Sequence, residues 1–156
     1  MPHTRFVTGT RNGKQMIVSE DRVDGFAASG VSEMVPVLYI GEPPSLPHDG
    51  ALSPSFEMPS TPGSMAVALW TLEANKSLIS DDQKLNFSAK RPGYHQTPTI
   101  DVHFVINGEL RFEVEDGSEV TLAAGDWIVV HGTGHTWHNR SDQPATVLGT
   151  SYGAVV

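Results

Sequence analysis

Short apolar stretches separated by turn residues dominate the second half of the chain. They predict strands over five ranges: 100–106, 109–115, 119–123, 127–130 and 146–152. The breaks between them carry glycine beside asparagine or aspartate, as at Asn107-Gly108 and Asp116-Gly117, and these residues tolerate the positive φ of tight turns. Evenly spaced short strands with such turns are typical of an antiparallel β-barrel or jelly roll, so the chain is predicted to be all-β with little helix.

The N-terminal residues 1–20 have the pattern of a β-hairpin. Two apolar stretches, 5–9 and 15–19, flank the dipeptide Asn12-Gly13. Asn-Gly between such stretches is the strongest short-range signal for a hairpin. We therefore expect the chain to open with a hairpin.

The middle of the chain is less regular. Residues 41–63 are rich in proline and poor in apolar periodicity, which predicts an irregular covering segment. Residues 65–70 predict a buried strand, and residues 80–85 at most a short helical turn. We expect one domain over residues 1–156, with residues 93–152 as its core.

Composition supports this picture and excludes several classes of protein. The chain has 15 glycines and 11 prolines among 156 residues, which does not suit a helical bundle. Its net charge of -8 disfavours nucleic acid and anionic membranes as partners. Because the chain contains no cysteine, a thiolate nucleophile and a thiolate zinc site are both excluded. The sequence shows no signal core and no run of about 18 apolar residues, so we expect a cytoplasmic protein.

The histidines are unevenly distributed. Five of the seven lie between His95 and His138. In an extended strand alternate side chains share a face, so Asp101 and His103 point the same way as Val105. If that face is the core, a carboxylate and an imidazole are buried together, and burial of a carboxylate requires a partner. His95 and His135 are the candidate partners.

The residues around these histidines resemble the two conserved cupin motifs. The stretch 93–109 resembles the first motif, with His95 in the first His place and Asp101 in the Glu place. The stretch 125–139 resembles the second motif, which His135 and Asn139 complete. The pattern His-x-Thr-x-Thr-x-Asp is also similar to a subgroup of small microbial cupins. The resemblance implies a small single-domain cupin barrel.

The resemblance also implies a metal site. His95, Asp101 and His135 would form a two-His, one-carboxylate set able to hold Fe, Zn, Mn or Ni. Thr97 stands in the place of the family's second His, which removes one of the four usual ligands. With that ligand missing, proton transfer competes with oxygen chemistry as the expected reaction.

Strand alternation and side-chain chemistry make further residues candidates for the cavity. His103 is predicted to be a fourth ligand, a residue that orients a ligand, or a general base near neutral pH. Tyr94 is predicted to shuttle a proton, and Thr97 to form part of the polar wall. Four more residues are predicted to line the substrate pocket: Thr99, Phe104, Trp127 and Trp137. His131 and His138 are predicted to be solvated surface residues.

Three functions follow from this site. The first is an enzyme that acts by proton transfer, as a lyase or dehydratase, an isomerase or a cyclase, on a small substrate bearing a carbonyl or hydroxyl. The second is an Fe(II)-dependent dioxygenase, and the third is a non-catalytic barrel that binds a small molecule. We also expect a homodimer, because the resemblance implies pairing through the sheets and an N-terminal hairpin can add to a neighbour's sheet edge and cover its unpaired backbone groups.

Overall fold

The structure is a computed structural model, and it describes residues 3–28, 30–78 and 93–155. These residues form twelve strands: β1 His3–Arg11, β2 Lys14–Val23, β3 Phe26–Ala28, β4 Val31–Ile40, β5 Met65–Leu72, β6 Lys76–Ser77, β7 Thr99–Asn107, β8 Glu109–Val114, β9 Glu119–Ala123, β10 Trp127–His131, β11 His135–Asn139 and β12 Ala145–Gly153. The described part of the chain contains no helix, and therefore none able to span a membrane. The predicted helical turn at 80–85 lies outside the described residues.

The strands form three sheets in which every pairing is antiparallel. A six-stranded sheet has the order β10-β7-β12-β5-β4-β3, a four-stranded sheet the order β6-β11-β8-β9, and β1 and β2 form a two-stranded sheet. The prediction of an all-β antiparallel fold is confirmed. The arrangement is consistent with a jelly roll.

The hydrophobic core draws on both larger sheets. Trp70 of β5 and Val147 of β12 come from the six-stranded sheet, and Phe112 of β8 and Trp137 of β11 from the four-stranded sheet. Burial of each large apolar side chain stabilises the fold by about 1.5–3 kcal/mol before entropy is counted. The two sheets are therefore held together by the apolar alternate positions of their strands.

The N-terminal hairpin turns at the Asn-Gly dipeptide. Asn12 and Gly13 have φ of 51° and 73°, and positive φ at both central residues defines the type I′ turn that suits a two-residue hairpin loop. The guanidinium of Arg5 donates a hydrogen bond of 2.7 Å to the carbonyl oxygen of Val37. This bond attaches the hairpin to β4 of the six-stranded sheet.

Strand β4 was not predicted from the sequence. Pro36 lies inside it, and the register with β5 shifts between Pro36 and Leu38. Proline has no N–H to donate, so a strand accommodates it at an irregularity of this kind. After β4, residues 41–64 contain no strand.

Candidate functional site

A cavity of about 270 Å³ opens between the sheets and the irregular segment. Its polar lining consists of six residues, and the rest of its wall is apolar apart from Gly149. The six are His95, Thr97, Asp101, His103, His135 and Ser151. The three residues predicted as metal ligands and the predicted base His103 therefore meet in one cavity.

Strand β7 supplies the carboxyl and one imidazole. Its odd-numbered residues face inward, so Asp101 and His103 line the cavity while Val105 packs in the core. The register with β12 sets Ser151 opposite Asp101 and Gly149 opposite His103. A Cβ at position 149 would lie 3.0 Å from Nδ1 of His103, so glycine leaves room for this imidazole.

Asp101 is buried, with only 5% of its surface exposed. Its carboxyl accepts hydrogen bonds from the hydroxyls of Ser151 and Thr99, yet Oδ1 has no hydrogen-bond partner among the described residues. Burial raises the pKa of this carboxyl, although the two hydroxyls and the nearby His95 act in the opposite direction. The site thus contains a carboxyl whose Oδ1 accepts no hydrogen bond from the described residues.

His95 and His135 form an adjacent pair. Their backbones exchange two hydrogen bonds, of 2.9 and 3.0 Å, and their ring centroids are 4.3 Å apart. Nδ1 of His135 lies 2.7 Å from the carbonyl oxygen of Thr133. Because a carbonyl only accepts, Nδ1 carries the proton and Nε2 is left as an acceptor.

Both rings of this pair are held neutral. Burial lowers the pKa of His135 to about 4, and the neighbouring His95 lowers it further. Burial also lowers the pKa of His95. Phe112 stacks on His135 with ring centroids 4.7 Å apart, which supplies the apolar surroundings.

His103 lies among aromatic rings. Trp70 and Trp137 contact it edge-on at centroid distances of 5.9 and 5.2 Å, and its buried Nδ1 has no hydrogen-bond partner among the described residues. Burial lowers its pKa to about 3, helped by His135 and His95. This direction does not support the prediction that His103 acts as a base near neutral pH. It is a neutral ring that can exchange hydrogen bonds with a ligand.

The predicted metal set is only partly assembled. The paired imidazoles offer suitable nitrogen donors, and Asp101 has a free oxygen. Within residues 3–28, 30–78 and 93–155, however, no three His, Cys, Asp or Glu side chains are arranged to hold a metal ion. The Asp101 carboxyl is bonded to two hydroxyls instead. The residues as placed do not fit a three-ligand metal centre.

The two threonines and Tyr94 have different positions from those predicted. Thr97 lines the cavity, and its hydroxyl lies 2.6 Å from that of Thr99. Thr99 is fully buried behind the cavity wall, so it supports Thr97 and Asp101 rather than touching a ligand. Tyr94 does not line the cavity, because its hydroxyl donates a 3.1 Å hydrogen bond to the carbonyl oxygen of Val114. Its predicted role as a proton shuttle is not supported.

Two of the predicted aromatic residues face away from the cavity. Phe104 has the opposite strand parity to His103, and its register partner Trp127 is 61% exposed. Their rings pack together on the outer face with centroids 4.4 Å apart. Their assignment to the pocket is wrong, whereas Trp137 lines the cavity as predicted.

Several lining residues were not predicted as site residues. Gly149 and Ser151 follow from the alternation of β12, which would have identified them once Val147 was assigned to the core. Phe56 and Met58 come from the irregular segment, where no periodicity marks them.

The remaining histidines differ from each other. His131 is exposed, as predicted. His138 is not a freely solvated residue, because its Nδ1 lies 2.7 Å from the hydroxyl of Ser77 and its Nε2 lies 3.2 Å from a carboxylate oxygen of Glu113.

Comparison with known families identifies one matching domain. The family model described as Cupin domain matches residues 85–150, a range that includes His95, Asp101 and His135. The match supports a cupin-family protein. The narrower subgroup with the motif His-x-Thr-x-Thr-x-Asp stays a prediction.

Curated relatives match a shorter part of the chain. Oryzines biosynthesis cluster protein J of Aspergillus oryzae is 46% identical over 50 residues, which are 32% of this chain and 28% of that protein. Phomopsin biosynthesis cluster protein D of Diaporthe leptostromiformis is 40% identical over 55 residues, 33% of this chain and 29% of that protein. The chain thus spans less than a third of these relatives.

Among solved structures, a Cupin 2 conserved barrel domain protein from Salinispora arenicola aligns with a TM-score of 0.44 and 13% identity. The alignment covers 64% of this chain and 71% of that chain.

Proposed function

We propose that the chain is a cupin-family enzyme that moves a proton on a small organic substrate bearing a carbonyl or hydroxyl group. This proposal rests mainly on the cavity, in whose largely apolar wall Oδ1 of Asp101 and Nδ1 of His103 have no hydrogen-bond partner among the described residues. Buried polar atoms without partners are costly, so their presence in a cavity favours a ligand that satisfies them.

Asp101 serves as the base in this proposal. Burial raises the pKa of its carboxyl, which makes the carboxylate a stronger proton acceptor than an exposed one. The hydroxyls of Thr99 and Ser151 orient the group. The carboxylate takes the proton from the carbon next to the substrate carbonyl.

The electron pair released from that C–H bond moves onto the carbonyl oxygen. His103 is neutral and has one N–H, and Thr97 has a hydroxyl, so either group can donate a hydrogen bond to the developing oxyanion. In a β,γ-unsaturated substrate, the electron pair returns from the oxygen and the protonated Asp101 gives its proton to the γ-carbon, which is isomerisation. In a β-hydroxy substrate, the returning pair forms the Cα=Cβ bond as the Cβ–O bond breaks, and the protonated Asp101 gives its proton to the leaving oxygen, which departs as water in a dehydration.

We assign no step to a metal ion. The dioxygenase alternative needs two histidines and a carboxylate on one face of an iron ion, and the described residues contain no three ligands arranged in this way. The names of the two curated relatives, both biosynthesis cluster proteins, fit an enzyme for a small organic molecule.

The first experiment measures deuterium exchange. A neutral cyclic ketone, 1-tetralone, is incubated with the protein in D2O, and deuterium at its α-carbon is followed by NMR. Wild type should accelerate exchange, and Asp101→Asn should lower the accelerated rate by roughly 10²–10⁴-fold because the base is lost. Asp142→Asn, an exposed carboxyl outside the cavity lining, is the matched control and should keep the wild-type rate.

An equal rate in Asp101→Asn and wild type would remove Asp101 from the mechanism. Tight binding of the ketone without exchange would favour the non-catalytic binding barrel.

A further inference from the structure

We propose that the cavity selects an uncharged ring compound and rejects a carboxylate of the same size. The inference deepens the proposed function, because it takes the same cavity as the substrate site. It rests on what lines the cavity, not on the reaction that takes place there.

The walls favour a planar apolar molecule. Four aromatic side chains line the cavity: Phe26, Phe56, Trp70 and Trp137. Its volume of about 270 Å³ lies just below the range of roughly 300–1,000 Å³ that is typical of small-molecule sites. One or two fused rings can fill such a space and gain stacking contacts beyond the burial of their area.

The charges in the cavity disfavour an anion. Among the described residues that line it, none is Lys or Arg and Asp101 is the only carboxyl. A bound carboxylate would lose its water and lie near the Asp101 carboxylate with no cation of the described lining beside it, which is strongly unfavourable. A hydroxyl or carbonyl group carries no such penalty, since the polar atoms of Asp101 and His103 can pair with it.

The surroundings of the histidines do not favour a cation. Phe112 stacks on His135, whose Nδ1 already donates to the carbonyl oxygen of Thr133 at 2.7 Å, and Trp70 and Trp137 pack edge-on against His103. A charged ring among these apolar groups would lose its water, which is unfavourable.

The rim of the cavity offers a place to change its charge. Met58 lies in the irregular segment, lines the cavity and is 40% exposed, so a lysine there can fold with its ammonium near the opening. Met16 in the hairpin is 50% exposed and does not line this cavity. The two positions form a matched pair for the same substitution.

The test compares 2-naphthol with 2-naphthoate, which share one ring system and differ in charge. Their dissociation constants are measured by isothermal titration calorimetry at pH 7.5 on the full chain after chelation of metals. Wild type should bind 2-naphthol at least about 100-fold more tightly than 2-naphthoate. Comparable or tighter binding of 2-naphthoate, or no detectable binding of 2-naphthol, would overturn the proposal.

Three variants test whether the charge of the cavity causes the preference for 2-naphthol. Met58→Lys should narrow the preference by about tenfold, because an ammonium near the opening attracts the carboxylate, whereas Met16→Lys should leave it unchanged. Asp101→Asn should also narrow it, by removing the like charge. An unchanged preference in both cavity variants, with Met58→Lys folded by circular dichroism, would contradict this origin of the selectivity.

The outcome is separate from that of the exchange experiment. Preferential binding of 2-naphthol without any catalysed exchange would contradict the proposed reaction and support the proposed charge preference. Catalysed exchange together with tight binding of 2-naphthoate would support the reaction and contradict the charge preference.

Discussion

At the scale of residues, strand parity determines which groups share the cavity. Asp101 and His103 could be placed together from the sequence because alternate residues of a strand face the same way. The same rule excludes Phe104, whose position next to His103 puts it on the opposite face. Tyr94 shows the limit of such reasoning. Its hydroxyl donates a hydrogen bond to the carbonyl oxygen of Val114, and no local sequence pattern predicts a hydrogen-bond partner on another strand.

The buried histidines make stability depend on pH. In metal-free protein the pKa values of His135 and His103, about 4 and about 3 when folded, lie below the value of about 6.5 expected for the unfolded chain. The unfolded state therefore binds more protons, and stability is lost as pH falls from about 6.5 toward 4. We expect a loss on the order of several kcal/mol over that window. The raised pKa of Asp101 acts in the opposite direction and offsets part of it.

Urea denaturation at pH 7.5, 6.0 and 5.0 measures this dependence. His103→Phe should make the free energy of unfolding depend less on pH, because one buried imidazole is removed. His131→Gln, at an exposed position, should leave this pH dependence unchanged. A wild-type stability that does not fall between pH 6.5 and 5 would contradict the neutral, buried histidines.

At the scale of elements, regular alternation decided what could be predicted. Strands β7 to β10, strand β12 and the N-terminal hairpin have clear apolar periods or turn residues. Strand β4 was missed because Glu33 and Pro36 interrupt its pattern. Strand β11 was missed because it has the sequence His-Thr-Trp-His-Asn, in which His135, Thr136 and Trp137 are consecutively buried rather than alternating. Burial on both faces removes the period that marks a strand.

The outer face of the six-stranded sheet carries an exposed apolar surface. Trp127, Val129 and Tyr152 are each more than half exposed, and the outward positions of β5, β7, β10 and β12 contain no Asp, Glu, Lys or Arg. In a chain of net charge -8, this face lets two copies approach with little repulsion. We therefore expect the homodimer to form through it.

Trp127→Glu tests this expectation in sedimentation equilibrium. The wild type should sediment with twice the chain mass, and Trp127→Glu should shift the population to monomer because it places a charge in the apolar face. Val155→Glu, at an exposed position after β12, should remain dimeric. A wild-type monomer at micromolar concentration would contradict the expectation.

At the scale of the whole molecule, two sheets bring residues that are distant in sequence into one cavity. Asp101 and His103 come from the six-stranded sheet, His135 from the four-stranded sheet, and Met58 from the irregular segment. The sequence could indicate that the polar residues converge. It could not indicate how the carboxyl is oriented, because that depends on Ser151 across the sheet.

The central claim is that side chains of this chain, and not a bound metal, move the proton. The most direct measurement is α-deuterium exchange into 1-tetralone by chelator-treated protein under anaerobic conditions, with and without added Fe, Zn, Mn or Ni. We expect the chelated wild type to retain its full rate and His135→Ala to retain most of it. A rate that vanishes on chelation, returns with one of these metals and is absent in His135→Ala would contradict the account.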